Sequence, residues 1–234
     1  KQYPDAFLFY RLGDFYELFH DDAMKAAKLL EITLTSRNKN ADEPIPMCGV
    51  PYHAAAEYIR RLVEMGHKVA VCEQMEDAKL TKGMVRREVV RVITPGTFLN
   101  ENGSESKTNN YLASVIQNEA GGYGLGYVDI GTGELKVTLL TNEDAVFNEL
   151  QTLPFKEIVL DTKTADGLTE KLEKHFGILV SIQAKLIPET DFHDLVAELP
   201  QQSEKDVLVL LLSYLSDTQK RSLSHLQKAV AYQT

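Results

Sequence analysis

The sequence has few cysteines and no long apolar run. Cys48 and Cys72 are its only cysteines, and both lie in apolar surroundings. Two thiols cannot complete a metal site, and they fit a reducing compartment better than a disulfide scaffold. No segment approaches the roughly 20 apolar residues of a membrane-spanning helix, and no secretory signal pattern is present. We therefore expect a cytoplasmic protein with no membrane partner, and a piece of a longer chain, since it starts at Lys1 rather than Met.

Three kinds of catalytic motif are also missing from the sequence. Its six histidines are never spaced as a pair of metal ligands. The phosphate-binding pattern G-x-x-x-x-G-K-S/T does not occur, and no serine lies in a G-x-S-x-G elbow. These absences argue against a P-loop ATPase, a histidine metal centre or a serine hydrolase within this chain.

The excess of negative charge is confined to the second part of the chain. The net charge of −9 divides into 14 basic and 14 acidic residues at positions 1–97, and 11 basic and 20 acidic residues at positions 98–234. Because an acidic surface repels phosphates, any contact with nucleic acid is expected from the first part. Residues 79–91 form its one basic cluster, which either contacts a polyanion or is an ordinary solvated loop and strand.

A polar stretch divides the chain into two predicted domains. Residues 100–110 are almost all polar, so we predict a linker at 98–110 between a first domain, 1–97, and a second domain, 111–234. Hydrophobic patterns in the first domain predict strands at 8–12, 15–19, 32–35, 68–73 and 86–94, with helices at 21–30 and 54–65. Pro44, Pro46 and Pro51 are expected to exclude regular structure between them. The first domain is therefore predicted to be a mixed β-sheet with helices.

The second domain has a different order of elements. Three strands at 111–117, 124–129 and 134–140 form a predicted meander, after which helices at 143–150, 165–176 and 204–217 alternate with strands at 157–160 and 178–181. Three antiparallel strands followed by alternating helices and strands are typical of a ribonuclease-H-like α/β sheet. The predicted fold class for the whole chain is α/β (α+β).

The predicted hairpin at residues 8–19 presents an unusual pair of side chains. Gly13-Asp14 suits a two-residue turn, because glycine adopts the positive φ that a type II′ turn requires first. Since side chains alternate along a strand, Phe15 and Glu17 share one face, while Tyr16 and Leu18 share the other. Either Phe15 and Phe19 belong to a core with Glu17 at its solvated edge, or Phe15 and Glu17 form a binding site.

Four segments of the first domain resemble the MutS family of bacterial DNA mismatch-repair proteins. They read RLGDFYELF at 11–19, EPIPMCGVPYH at 43–53, VCEQ at 71–74 and VRVITPGT at 90–97, and looser matches follow at 129–133 and 217–220. The resemblance covers nearly the whole chain, but only the front quarter of the family's full length. It implies a mismatch-recognition domain followed by a connector domain that has no catalytic activity.

The family resemblance also implies roles for individual residues. Phe15 would be a wedge that enters a base step from the minor groove, and Glu17 would hydrogen-bond the displaced base. Such a wedge costs less free energy where pairing is already faulty, so it reads the deformability of the duplex. Arg37 and Arg87 match the family's phosphate-contacting arginines, and Met47 would pack beside the wedge. Charge alone adds a second set of candidate DNA contacts: Lys39, Lys82 and Arg86.

Partners and cofactors are implied in the same way. Mismatched duplex DNA is the expected ligand, which implies association with the nucleoid, and the repair factor MutL is expected on the connector domain. The family forms a homodimer that clamps around DNA, and its ATPase, with ATP and Mg²⁺, lies C-terminal to the matched region. For this chain by itself we expect a monomer with no cofactor and no enzymatic activity.

Two other functions remain open on the sequence alone. One is a metal-dependent, ribonuclease-H-like nuclease, in which Asp129, Glu134 and Asp161 would hold the two metal ions that activate water. The competing interpretation of Asp129 is that it begins the turn completed by Gly131 and Gly133. The other function is that of an interaction protein with no direct role on DNA.

Overall fold

The computed structural model describes residues 2–99, 109–220 and 222–234. The chain divides into two compact units, Lys1–Thr94 and Pro95–Thr234, and each contains a six-stranded sheet with helices. The predicted α/β class is therefore confirmed. Residues 100–108 of the predicted 98–110 linker lie outside the described residues, so the linker and the domain end at 97 remain predictions. Within the described parts of the chain, no helix is both long and apolar enough to cross a bilayer.

The first unit contains a mixed sheet with the strand order β3-β4-β2-β1-β5-β6. Its strands are β1 (Ala6–Leu12), β2 (Phe15–Phe19), β3 (Thr35–Arg37), β4 (Ile45–Pro51), β5 (Lys68–Gln74) and β6 (Arg87–Ile93). Its helices are α1 (His20–Leu30) and α2 (Ala55–Glu64), and a short 3-10 helix at Tyr52–Ala54 precedes α2. β1 pairs in parallel with β5, and the other neighbouring strands are antiparallel.

The two faces of this sheet differ in burial. Tyr16 and Leu18 of β2 are buried together with Phe9 of β1, and Cys48 of β4 lies against α1, with its Sγ 3.5 Å from the Ala23 carbonyl oxygen. On the opposite face Phe15 remains 47% exposed, and Phe19 is half-buried. The interpretation of Phe15 as a core residue is therefore wrong. The predicted hairpin is confirmed, with Leu12 opposite Phe15 and Gly13 at φ +59°.

Two local predictions for this unit were wrong. The strand predicted at 32–35 is β3 at Thr35–Arg37, because Glu31 ends α1 in a left-handed conformation and the Ile32 N–H still donates to the Ala27 carbonyl. The segment with Pro46 and Pro51 is β4, although we expected these prolines to exclude regular structure. A proline φ is compatible with extended backbone, and each proline removes only one donor from the ladder.

The second unit has the strand order β11-β10-β7-β8-β9-β12. Its strands are β7 (Tyr111–Gln117), β8 (Tyr123–Asp129), β9 (Leu135–Leu140), β10 (Phe155–Leu160), β11 (Leu179–Ile182) and β12 (Val230–Ala231). Its helices are α3 (Glu143–Leu150), α4 (Thr162–Phe176), α5 (His193–Val196) and α6 (Gln202–Gln219). β7, β8 and β9 form an antiparallel meander, and β10 and β11 add in parallel beside β7. This is the ribonuclease-H-like order predicted from the sequence, and the two-residue β12 is an addition that the sequence did not indicate.

Helices pack on both faces of the second sheet. Alternate strand residues such as Leu112 and Leu135 cluster with the apolar side of α6. The intervening residues, such as Ala113 and Val115, cluster with α3 and α4 on the other face. Burial on both faces explains why these strands are more continuously apolar than β2.

A fully buried carboxylate accepts a backbone hydrogen bond from the first residues of the second unit. Glu157 of β10 has no exposed surface. One of its oxygens accepts the Gly96 N–H at 3.0 Å, and the other accepts the hydroxyls of Ser181, at 2.6 Å, and Tyr214. A Cβ on Gly96 would lie 2.7 Å from Leu112 Cδ1 and 2.9 Å from Glu157 Cβ. Only glycine therefore lets the backbone reach this carboxylate.

We predict that Gly96→Ala lowers the free energy of unfolding by about 1–3 kcal/mol, the usual cost of overpacking a close contact. Gly167→Ala is the matched control, because a Cβ there meets nothing within 4 Å and alanine favours the interior of α4. Urea unfolding of the chain should show a loss for the first variant and no loss for the second. Equal stability of the two variants would contradict the close approach at Gly96.

We also predict that Phe9→Ala and Phe15→Ala differ sharply in stability. Phe9 is fully buried, so its truncation should cost about 3–5 kcal/mol. Phe15 is 47% exposed on the neighbouring strand, so its truncation should cost about 1 kcal/mol or less. Thermal or urea unfolding of both variants measures the difference. A large loss for Phe15→Ala would mean that this ring belongs to the core after all.

Candidate nucleic-acid interface

Phe15 and Glu17 lie side by side on the face of the first sheet opposite the one that carries Tyr16 and Leu18. Strand register places Phe15 opposite Pro51, and Glu17 opposite both Tyr10 and Gly49. A Cβ on Gly49 would lie 3.8 Å from Phe15 Cδ1 and 3.6 Å from Glu17 Cγ. Because Gly49 has no side chain, the aromatic ring and the carboxylate both stay accessible at this point of the sheet.

Aromatic rings and cations extend the same face. The rings of Tyr10 and Phe19 meet edge to face, with their centroids 6.4 Å apart. The Arg37 guanidinium lies 5.8 Å from the Phe19 ring centroid, and Met47 is directly opposite Phe19 on β4. A cavity of about 750 Å³ opens beside these two rings and is lined by charges of both signs, from Lys25 and Arg37 and from Asp21 and Asp22. The structure thus brings four predicted site residues to one face: Phe15, Glu17, Arg37 and Met47.

Arg87, predicted to contact phosphate, makes bonds within the protein. Its Nε donates to the Arg11 carbonyl at 2.9 Å, and its Nη1 donates to the Val85 carbonyl at 3.1 Å. Its guanidinium also lies 5.1 Å from the Tyr10 ring centroid. Arg87 therefore connects the beginning of β6 to the end of β1, whatever else it contacts.

The other predicted cations lie on exposed loops or strand ends. Lys39 lies in the loop between β3 and β4, and Lys82 lies in the loop between β5 and β6. Arg86 precedes β6, with its Nε 3.4 Å from a Glu88 carboxylate oxygen. Lys39 and Lys82 are exposed and form no ion pair with another residue that the structure describes.

A polar cluster beneath the hairpin was not anticipated from the sequence. The Tyr16 hydroxyl donates to the Glu73 carboxylate, and Arg11 Nη1 lies 3.7 Å from the same group. The Arg11 guanidinium also stacks 3.5 Å from the Tyr52 ring centroid. Burial raises the pKa of the Glu73 carboxyl, and the Arg11 charge opposes that rise. Strand alternation could place Arg11 opposite Tyr16, but no local signal identifies Glu73 as their common partner.

The three carboxylates proposed for a nuclease have separate structural partners. Asp129 is buried, and its Oδ1 accepts the N–H groups of Asn110, at 3.2 Å, and Gly131, at 2.9 Å. Asp161 caps α4 by accepting the Thr164 N–H, and Glu134 pairs with Lys136 at 3.3 Å. The turn interpretation of Asp129 is confirmed. Among the described residues, no three His, Cys, Asp or Glu side chains are grouped to hold a metal ion.

Comparison with known proteins gives a consistent result along the chain. The family models for MutS domain I and MutS domain II match residues 1–102 and 110–227. A solved structure, the catalytic core domain of BIV integrase, aligns with 47% of this chain and 85% of that chain at 17% identity. Its TM-score of 0.28 is too low to indicate a shared fold.

Curated relatives described as DNA mismatch repair protein MutS match the chain from end to end. The protein from Listeria monocytogenes serotype 4b is 48% identical over 234 residues, which is 100% of this chain. The protein from Geobacillus sp. strain WCH70 is 49% identical over 232 residues, which is 99% of this chain. In both cases the chain spans only 27% of the relative's own length. Taken with the two domain models, these matches show that the chain belongs to the MutS family of DNA mismatch repair proteins.

Proposed function

We propose that this chain recognises mismatched or unpaired bases in duplex DNA, as the N-terminal part of a mismatch-repair protein. The observation that carries the proposal is the exposed Phe15 ring beside Glu17, on one face of a hairpin in a chain of the MutS family. An exposed aromatic ring contributes little to the fold, and its free surface is available to stack on a base.

The wedge action of Phe15 follows from two opposing free energies. Opening a base step costs a few kcal/mol in intact duplex and less where pairing is already faulty. Stacking of one base on an aromatic side chain contributes about 1–3 kcal/mol. These terms nearly cancel at a sound step, whereas stacking exceeds the cost at a defect. Phe15 therefore favours defective DNA without reading its sequence.

Glu17 adds selectivity through its charge. A carboxylate placed near a duplex is repelled by phosphates, and in an intact step it finds no free base edge to bond. At a defect, the displaced base can offer an N–H to the carboxylate. Gly49 supports this role, because the missing side chain leaves the space beside Glu17 open. Glu17 thus raises the free energy of binding to intact duplex. Only at a defect does a hydrogen bond from the displaced base offset that rise.

Contacts to the DNA backbone would fix the position of the hairpin. Arg37, Lys39, Lys82 and Arg86 are the cations proposed for phosphates, and Met47 is proposed to pack in the groove beside Phe15. Each phosphate neutralised contributes about −0.9 to the slope of log K against log salt. We retain Arg87 as a candidate phosphate contact, although two of its donors already bond backbone carbonyls.

The second unit is proposed to be a connector that binds protein rather than DNA. Its acidic balance, 11 basic and 20 acidic residues over positions 98–234, opposes contact with phosphates. We propose MutL as the protein that it engages. The family's homodimer, ATP and Mg²⁺ are assigned to the full-length protein, and this chain alone is proposed to be a monomer without enzymatic activity.

Substitution of Phe15 in the full-length protein tests the wedge. We predict that Phe15→Ala reduces the preference for a G·T or unpaired-T duplex by about tenfold to a hundredfold, because base stacking is lost. Phe15→Tyr is the matched control, since it retains the ring and should retain most of the preference. Fluorescence anisotropy with labelled duplexes measures both. Unchanged discrimination by Phe15→Ala would remove the wedge from the proposal.

Substitution of Glu17 should have a different effect. We predict that Glu17→Gln binds perfect duplex more tightly, so that discrimination falls while affinity for the mismatch changes little. The reason is that glutamine keeps the shape and removes the repulsion from phosphates. Glu57→Gln, which removes the same charge from the exposed surface of α2, is the control and should leave both affinities unchanged. Weaker binding of Glu17→Gln to perfect duplex would contradict the repulsion argument.

A further inference from the structure

Two connections leave the same end of the first sheet. β1 and β5 are parallel, with Tyr10 opposite Cys72, so both strands finish at one edge. The Gly13-Asp14 turn follows β1, and residues 75–86, here called the basic loop, follow β5. The basic loop therefore leaves the sheet beside the turn that presents Phe15.

The basic loop is held by its own hydrogen bonds. The Met75 N–H donates to the Arg86 carbonyl at 2.8 Å and closes the base of the loop. The Asp77 carbonyl accepts the N–H groups of Leu80, at 3.0 Å, and Thr81, at 3.1 Å. These bonds close the base of the loop and form a turn at residues 77–81.

Two large apolar side chains of this loop are directed to solvent. Leu80 is 83% exposed and Met84 is 92% exposed, the highest values for large apolar residues in the described parts of the chain. Lys79, Lys82 and Arg86 are near them in the sequence and are also exposed, while Glu76 and Asp77 lie at the beginning of the loop. Apolar side chains flanked by cations are the composition that minor-groove-binding proteins use, since cations meet phosphates while apolar side chains press on base steps.

Arg87 fixes the basic loop relative to the hairpin. Its bond to the Val85 carbonyl holds the end of the loop, and its bond to the Arg11 carbonyl holds β1 just before the turn. One side chain thus joins the loop to the strand that leads to Phe15. Arg87 acts here as a positioning residue.

We propose that the basic loop is a second groove-binding element, in which Leu80 and Met84 make apolar contacts with the minor groove beside the step opened by Phe15. The inference rests on the proposed recognition of defective DNA. Anionic lipid would also suit an apolar loop with cations, but the position of the loop beside Phe15, whose proposed partner is DNA, favours DNA. Lys79 and Lys82 would contact the flanking phosphates.

A double substitution, Leu80→Ser with Met84→Ser, tests the apolar contacts in the full-length protein. Both side chains are exposed, so the fold should be unaffected. We expect roughly tenfold weaker binding to a duplex with one unpaired T, from the apolar surface no longer buried, and a smaller change on perfect duplex. The slope of log K against log salt should stay the same, because no charge is removed. Leu34→Ser with Met24→Ser, an equal change at exposed apolar residues outside the loop, should leave binding unaltered.

The outcomes separate this inference from the function on which it rests. Unchanged binding by the loop variant, while Phe15→Ala loses its preference, would overturn the loop proposal and leave the wedge standing. A changed salt slope in the loop variant would also overturn it, as would loss of binding to phosphatidylserine vesicles with DNA affinity intact. If Phe15→Ala also binds like the parent protein, the proposed function itself fails.

Arg87→Lys separates positioning from phosphate contact. A lysine keeps the charge but cannot bond two carbonyls in the same planar geometry. If Arg87 positions the loop, this variant should lose about as much affinity as the Leu80/Met84 variant, with the salt slope retained. Full affinity in Arg87→Lys, together with a slope reduced by about 0.9 in Arg87→Ala, would overturn the positioning role.

Discussion

The alternation of side chains along β2 determines what the first unit can bind. Tyr16 and Leu18 pack in the core on the face that α1 covers, so Phe15 and Glu17 must project from the other face. β2 is also hydrogen-bonded on both sides, to β1 and to β4. A slip of one residue would expose the core side chains and bury the Glu17 carboxylate. The register that stabilises the fold is therefore the register that presents the candidate site.

Local patterns predicted most of the elements but not their long-range partners. Period-two alternation and helical spacing identified the hairpin, α2 and the meander of the second unit, because those signals arise within a few residues. The prediction that the prolines of β4 exclude regular structure was wrong, because the effect of a proline depends on whether a neighbouring strand needs the N–H that it lacks. Glu157 looked like the first residue of an ordinary strand, and its burial depends on Gly96, Ser181 and Tyr214, which are distant in sequence.

The candidate site shows the same limit. Phe15 and Glu17 could be placed together on one face from the sequence, because strand geometry alone determines that relation. The family resemblance, and not the pattern, singled out Arg87, and only the structure showed where two of its donors go. Leu80 and Met84 carry no sequence signal of a binding role, because an apolar side chain in an irregular loop has no periodicity by which to judge it. Only their exposure in the structure identifies them as candidate contacts.

A wedge can sense deformability only if it is stiffer than the DNA that it enters. If the hairpin yielded first, Phe15 would fold back rather than open a base step, and intact and defective duplexes would be treated alike. The cluster beneath the hairpin supplies this support, because Tyr16 and Arg11 both engage Glu73 on β5, and Arg11 also stacks on Tyr52. These bonds join β1 and β2 to β5 on the side away from the site. Under the proposed wedge action, the elastic cost of contact would fall on the duplex, where it differs between sound and faulty pairs, and that difference would give the selectivity.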